Sequence, residues 1–284
     1  MGAVAPVCLH PGFGHHLRIR SLDDCQTLPM KPSRLLLPVF PFCTAVVLAA
    51  DPVALSTFRS GPHRTALIEL FSSEGCSSCP PAEKWVADLA GDPGLWRDFV
   101  PVAWHVDYWD GLGWPDRFAS AANTERQKSY AAAWRSESIY TPGFVLNGKE
   151  WRGWRSPLGL PKAAKEDAGV LELVAAGGSH FTVRFAPPAG APGAYSATVA
   201  WLGNDLSSDV RRGENAGRKL RHTFIVLRST AAALARKGPD AVATVDLALP
   251  EARDSKKLSV AAWVTRDGAP VPLQAVGGWF QPSP

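Results

Sequence analysis

The feature that most constrains this chain is a short order of elements around two cysteines. Thr65 to Phe71 (TALIELF) is an apolar run rich enough in branched residues for a buried strand. Ser72 to Gly75 reads as a turn, and Cys76-Ser-Ser-Cys79-Pro-Pro then opens a helix. Ala82, Trp85, Val86 and Leu89 continue it as an i, i+3, i+4, i+7 apolar stripe, and Gly91-Asp-Pro-Gly94 stops it. A C-x-x-C pair alone is a weak signal, but between a buried strand and an amphipathic helix it reads as a redox motif. Pro80 and Pro81 are tolerated there because the first helical N–H groups lack an intrahelical acceptor in any case.

Thiol–disulfide exchange needs one exposed thiolate and a second thiol close enough to resolve the mixed disulfide. The spacing makes Cys76 the attacking thiol, at a helix N-terminus whose dipole holds its pKa below the free value of about 8.5. Cys79, one turn further in, is the resolving thiol.

Downstream, Phe99 to Val106 reads as a second strand and Asp107 to Ser120 as a loop containing Trp and Gly. Ala121 to Arg135 reads as a helix. Thr141-Pro142 then runs into the short strand Phe144–Leu146, the hairpin turn Asn147-Gly148 and a returning strand over Glu150–Trp154. Ser156 to Ala168 is expected to hold a closing helix and a linker. Beyond Val170 the pattern is β-rich: strands are expected over Leu171–Ala175, Phe181–Phe185, Tyr195–Leu202, His222–Arg228, Ala241–Ala248 and Leu258–Thr265.

The N-terminal end has the order of a secretory leader. Lys31 and Arg34 precede the apolar run Leu35 to Leu48, followed by the small residues Ala49 and Ala50. Residues 30–50 are therefore expected to be a signal peptide, with a retained anchor as the alternative reading of a run interrupted by Pro38 and Pro41. Met30 is the expected true start, and residues 1–29, which show no periodicity, an upstream mis-start. Cys8, Cys25 and Cys43 fall in this part, so an exported chain keeps one even pair, Cys76 and Cys79. Residues 1–50 carry four of the 30 Lys/Arg and two of the 26 Asp/Glu, so the mature charge falls from +4 to +2. With no Lys/Arg block, nucleic acid is not an expected partner.

Three stretches carry a closer resemblance. Leu70-Phe71-Ser-Ser-Glu-Gly-Cys76-Ser-Ser-Cys79-Pro-Pro, Trp104-His-Val-Asp-Tyr-Trp109-Asp-Gly-Leu-Gly-Trp114 and Tyr140-Thr-Pro-Gly-Phe-Val-Leu-Asn-Gly148 resemble a family of secreted thioredoxin-like bacterial proteins. It is the domain-of-unknown-function family numbered twelve twenty-three. The resemblance extends from Arg64 to the C-terminus and includes Arg212-Gly-Glu-Asn-Ala-Gly-Arg218 and His222. It implies a thioredoxin-like fold and a redox role. It also implies that Pro142 follows a cis peptide bond and faces the cysteines, with the backbone at Thr141 and Pro142 pairing with a substrate chain.

Other residues invite chemical readings. Glu69, on the same side of its strand as Leu67 and Phe71, is either buried below the cysteines as a proton acceptor for Cys79 or reaches solvent at a strand end. His105 and Asp107 alternate onto one face, with Asp110 close behind. They form either a hydrogen-bonded pair fixing the Tyr108–Trp114 loop or, with Cys76, Cys79 and His105 as ligands, a soft metal site. Tyr108, Trp109 and Trp114 either wall a peptide groove or close a core. Trp85 is expected in the core, and Trp151 and Trp154 against the second domain. Arg211, Arg212, Arg218, Lys219 and Arg221 read as a solvated loop, with docking of an acidic partner as the alternative.

The expected architecture is an α/β thioredoxin-like domain over residues 64–166 followed by a smaller β-rich, sandwich-like domain over 169–282. The expected activity is that of a periplasmic or secreted thiol–disulfide oxidoreductase using Cys76, Cys79, Pro142, Thr141 and Glu69. Its partners would be protein thiols or disulfides and a redox partner protein. No organic cofactor is expected, since no Gly-rich phosphate loop follows a strand in the needed context; the reactive group is the Cys76–Cys79 disulfide. Two alternatives stand beside this: a copper-handling protein using Cys76, Cys79 and His105, and a binding module in which the disulfide is a structural staple.

Overall fold

A computed structural model describes residues 55–281 apart from 157–159, 161–164, 192, 252–254 and 256. The leader at 30–50, the upstream stretch 1–29 and three of the five cysteines lie outside the described residues, as does most of the expected closing helix. In chain order the elements are β1 (Leu55–Arg59), β2 (Ala66–Ser72), α1 (Pro80–Asp88), β3 (Phe99–His105), α2 (Ala121–Trp134), β4 (Gly143–Leu146) and β5 (Lys149–Glu150). There follow β6 (Val170–Ala176), β7 (His180–Ala186), β8 (Tyr195–Asn204), β9 (Leu206–Asp209) and β10 (Lys219–His222). The chain closes with β11 (Ile225–Lys237), β12 (Asp240–Asp246), β13 (Lys257–Arg266) and β14 (Pro272–Phe280).

The fold is mixed α/β and dominated by one large mixed sheet of twelve strands. β2 and β3 run parallel in its middle and are buried almost throughout, which is why both read as continuous apolar runs and not as alternating ones. β4 adds antiparallel to β2, and β5 returns through the Asn147–Gly148 turn. On the other side, β3 meets β11 in parallel at Ala103 and Ile225, with the Ala103 N–H donating to the Phe224 carbonyl at 2.8 Å. The expected division near 166–169 therefore coincides with no break in the sheet, and Asp51–Pro284 forms one compact unit.

β11 is long enough to serve two layers. Ile225 to Leu234 pair with β8, and Ala235 to Lys237 pair with β12. β6 and β7 alternate strictly, burying Leu171, Leu173, Phe181, Val183 and Phe185 against Trp201, Val260 and Val264 of β8 and β13. Trp201 is wholly buried, and removing such a ring costs about 3–5 kcal/mol.

Some expectations shift. The strand read over His222–Arg228 is two strands, because Phe224 adopts a left-handed φ of 60° and turns the chain between β10 and β11. That turn lets β10 pair with β9 as a separate ribbon against α1. The returning strand after β4 is only two residues long and gives way to a single helical turn at Gly153–Arg155. β14 escapes a propensity reading because Gly277 and Gly278 sit in its interior, where the Trp96 and Phe58 rings come too close to leave room for a Cβ. Trp151 and Trp154 pack on Phe144 of β4, and Trp151 also on Trp85, where the expectation placed them against the second domain.

Candidate functional site

Cys76 and Cys79 form a disulfide with Cα atoms 5.5 Å apart, at the junction of β2 and α1. Cys79 occupies the N-cap position of α1, and its N–H donates to the Cys76 carbonyl at 3.2 Å. Cys76 thus belongs to the turn before the helix. Both cysteines are fully buried, whereas Ser77 and Ser78 between them are exposed. The exposed thiolate expected at Cys76 is absent from this oxidised, closed arrangement.

The cover comes from the loop between β9 and β10. Buried Asn215 donates its amide to the carbonyls of Glu74 and Cys76, 2.9 Å in each case, and Glu214 accepts the Ser77 N–H at 3.1 Å. The loop's arginines, Arg211, Arg212 and Arg218, are solvated, as are Lys219 and Arg221 on β10. From the other side Trp109 presses on Gly75, where an added Cβ would stand 2.9 Å from the Trp109 Cβ. The same indole donates to the Thr141 hydroxyl at 2.8 Å, so one side chain bridges the entry to the cysteines and the Thr141–Pro142 segment. The Thr141–Pro142 peptide bond is cis, as the resemblance implies. Thr141 and Pro142 line a groove of about 450 Å³ with Tyr140, Trp151, Trp154 and Arg155.

Glu69 is buried, but not beneath the cysteines. Successive residues of a strand face opposite sides of the sheet. Ser72 faces α1, where its hydroxyl donates to Glu83 at 2.5 Å, so Glu69 faces α2. There its carboxylate accepts from Arg126 at 2.5 Å, from the Trp104 indole at 2.9 Å and from the Tyr130 hydroxyl. The Arg126 guanidinium also lies 4.9 Å from both the Trp104 and Trp263 rings. Both carboxylate oxygens are thus engaged on the α2 face.

The α1 face holds a buried chain of ionisable groups instead. His105, the last residue of β3, is wholly buried and pairs through Nδ1 with Asp116 at 2.6 Å, not with Asp107, which accepts from Thr124. His222, the last residue of β10, meets Glu83 through Nδ1 at 2.5 Å and Glu74 through Nε2 at 3.1 Å. Glu83 lies one helical turn after Cys79, its N–H bonded to the Cys79 carbonyl at 3.1 Å. Burial opposes every charge here, and opposite partners overcome it. Against burial, the charge of His105 brings Asp116 down to about 2. Against burial, Glu83 and Glu74 lift His222 to about 10. Glu74 and Glu83 are lowered and His105 raised by the same balance. His105 turns one nitrogen to Asp116 and the other towards Glu83, while Cys76 and Cys79 are joined to each other.

Glu74, Glu83, Asp116 and Asn215 were not legible as site residues. One signal was present: Glu83 interrupts the buried stripe of α1 beside Ala82 and Val86, one turn from Cys79. Tyr108, Trp109 and Trp114 serve neither as a bare wall nor as plain core. Tyr108 bonds Gln127 at 3.3 Å, and Trp114 donates to Glu74 at 2.6 Å.

No curated protein matches the chain. Two solved structures resemble it in fold. Protein AGR_C_4864 from Agrobacterium tumefaciens shares 24% identity at a TM-score of 0.51, covering 78% of this chain and 96% of that one. HBP35 of Porphyromonas gingivalis shares 14% identity at a TM-score of 0.51, over 77% of this chain and 76% of that one. The family model described as protein of unknown function (DUF1223) matches residues 67–265, a span that contains both cysteines, Thr141–Pro142 and the whole buried chain from Asp116 to His222, and the protein belongs to that family.

Proposed function

We propose that the protein is an exported thiol–disulfide oxidoreductase built on a thioredoxin-like segment with a sandwich-like β-rich half. The observation that carries this reading is the Cys76–Cys79 disulfide at a strand-to-helix junction, joined through Trp109 to Thr141–Pro142 and an aromatic groove. The leader pattern over residues 30–50 supports export.

The reaction balances as follows. A substrate thiolate attacks the Cys76 sulfur, the Cys76–Cys79 bond breaks, and Cys79 leaves as a thiolate. A second substrate thiolate then attacks the substrate's own sulfur in the mixed disulfide and releases Cys76 as a thiolate. The substrate is oxidised by two electrons and the protein reduced by two; the reverse sequence reduces a substrate disulfide. The backbone at Thr141 and Pro142 aligns the substrate chain along the groove. Because both sulfurs are buried, attack requires the Glu214–Asn215 loop to lift from Ser77 and Cys76.

Glutathione equilibration of the purified protein tests this. A potential between about −270 and −120 mV, with a Cys79→Ser variant that accumulates a mixed disulfide on Cys76, supports the enzyme. A potential below about −300 mV overturns it and leaves a structural staple in a binding module.

A further inference from the structure

Glu83, His105 and His222 come from three different elements, α1, β3 and β10, and meet in the interior one turn below Cys79. One carboxylate oxygen and one nitrogen from each ring lie within 4.8 Å of one another, with all three residues buried. The two imidazole rings stand nearly perpendicular, their centroids 5.1 Å apart. His105 Nε2 is wholly buried and has no hydrogen-bond partner; it points at Glu83 Oε1 across 3.6 Å, too far for a hydrogen bond. An orphaned, buried imidazole nitrogen aimed at a carboxylate calls for something between them.

The surroundings have the form of a ligating set. His105 gives its other nitrogen to Asp116, and His222 gives its other nitrogen to Glu74. Each ring is thereby oriented by an outer carboxylate and presents its inner nitrogen to Glu83. Metal-bound histidines are held in this way, because the outer carboxylate fixes the tautomer and raises the basicity of the ligating nitrogen. The outer acids are themselves fixed. Asp116 accepts the Glu74 N–H at 2.8 Å and the Phe118 N–H at 2.9 Å, and Glu74 accepts the Trp114 indole.

We propose that Glu83, His105 and His222 form a binding site for a divalent transition-metal ion of the zinc type. Two imidazole nitrogens and one carboxylate oxygen suit such borderline ions and not calcium or magnesium. In a tetrahedral site with bonds of about 2.0–2.1 Å, neighbouring ligand atoms stand about 3.4 Å apart. The separation of 3.6 Å between His105 Nε2 and Glu83 Oε1 meets that spacing. His222 Nδ1 stands 2.5 Å from the other oxygen, Oε2, and moves off it by about 1 Å to admit the ion, while the Ser72 hydroxyl stays on Oε1. Ligation displaces the protons that the acids hold on the two rings; three carboxylates and two neutral rings then sum to three negative charges, and a dication leaves one. The ion would tie α1 to β3 and β10 directly behind the disulfide. This site stands whether or not the cysteines exchange.

The test titrates the full metal-stripped chain, in its disulfide form, with zinc by calorimetry and with cobalt by visible absorption. The expected result is one saturable ion per chain. The cobalt spectrum should lack a thiolate charge-transfer band and be unchanged in Cys76→Ser/Cys79→Ser. Glu83→Gln should abolish stoichiometric binding, and Asp116→Asn should weaken it about 10–100-fold. Circular dichroism verifies that each variant is folded; if Glu83→Gln is not, Asp116→Asn and the parent chain decide. Absence of saturable zinc binding at millimolar zinc overturns the proposal. So does binding confined to reduced protein with a thiolate band, which would place the ion on the cysteines.

Discussion

Asn215 follows Cys76 by 139 residues and donates a hydrogen bond to its main-chain carbonyl at 2.9 Å. With the companion bond to Glu74, this amide is the clasp that the β-rich half places over the disulfide. Asn215→Ala removes both bonds; the Cys76 carbonyl keeps the Cys79 N–H, while the Glu74 carbonyl loses its Asn215 donor at about 1–3 kcal/mol before relaxation. Reduction of Cys76–Cys79 by dithiothreitol should become several-fold faster in this variant while global stability falls. A rate equal to that of the parent protein would mean that the loop does not limit access.

Glu69 is wholly buried and forms an ion pair with Arg126, which is largely shielded from solvent. Glu69→Gln should therefore cost about 3–5 kcal/mol in urea denaturation, the usual loss on breaking such a pair. The cysteine reduction potential of the remaining folded protein should not move. A changed potential with unchanged stability would return Glu69 to the redox chemistry.

Trp109 holds Thr141 in place from the cysteine side. Thr141→Val keeps the shape and removes the acceptor, a loss of about 1 kcal/mol. Under the oxidoreductase reading, exchange with a dithiol peptide should show a higher KM, with the reduction potential unchanged. An unaltered KM would separate this segment from substrate alignment.

Gly277 leaves no room for a side chain. An added Cβ would stand 2.6 Å from the Trp96 ring and 2.9 Å from the Val260 carbonyl, and the latter is fixed in the sheet. Gly277→Ala should destabilise by about 1–3 kcal/mol, the range for overpacking a filled interior. Thermal unfolding reads this directly; a neutral result would show that β14 can shift outward.

Although Tyr108 is 40% exposed, the burial of the rest pushes its phenol up to about 12. The folded pKa lies above the unfolded value of about 10, so the neutral phenol favours the fold. That contribution is present below pH 10 and lost as pH rises towards 12. Alkaline titration of the phenolate absorbance should show a late step that disappears in Tyr108→Phe. A step near pH 10 would mean that the ring is solvated.

The central elements were legible because each carries a dense local signal. β2, α1, β3, α2 and β4 follow from apolar runs, a helical stripe and an Asn-Gly turn within roughly eighty residues. The cysteine pair followed from its spacing together with its place between a buried strand and an amphipathic helix. What escaped was long-range. Asp116 is one acid in a Pro- and Gly-containing loop, and His222 and Asn215 lie in a segment whose strand is broken by Phe224. No local rule says that these residues fold back onto α1. Glu69 was misplaced for a different reason: alternation gave its face of β2, but which helix covered that face depended on the crossover through α1 and β3.

The continuity of the sheet through β3 and β11 bears on how the protein can be divided. A chain cut after residue 168 would retain both cysteines, Thr141 and Pro142, and by sequence would look like a complete redox module. It would lack Glu214, Asn215 and His222, and β3 would be left as a bare, apolar edge open to pairing with another copy. The surroundings of the disulfide are thus shared property of two halves distant in sequence, so neither half is a transferable part.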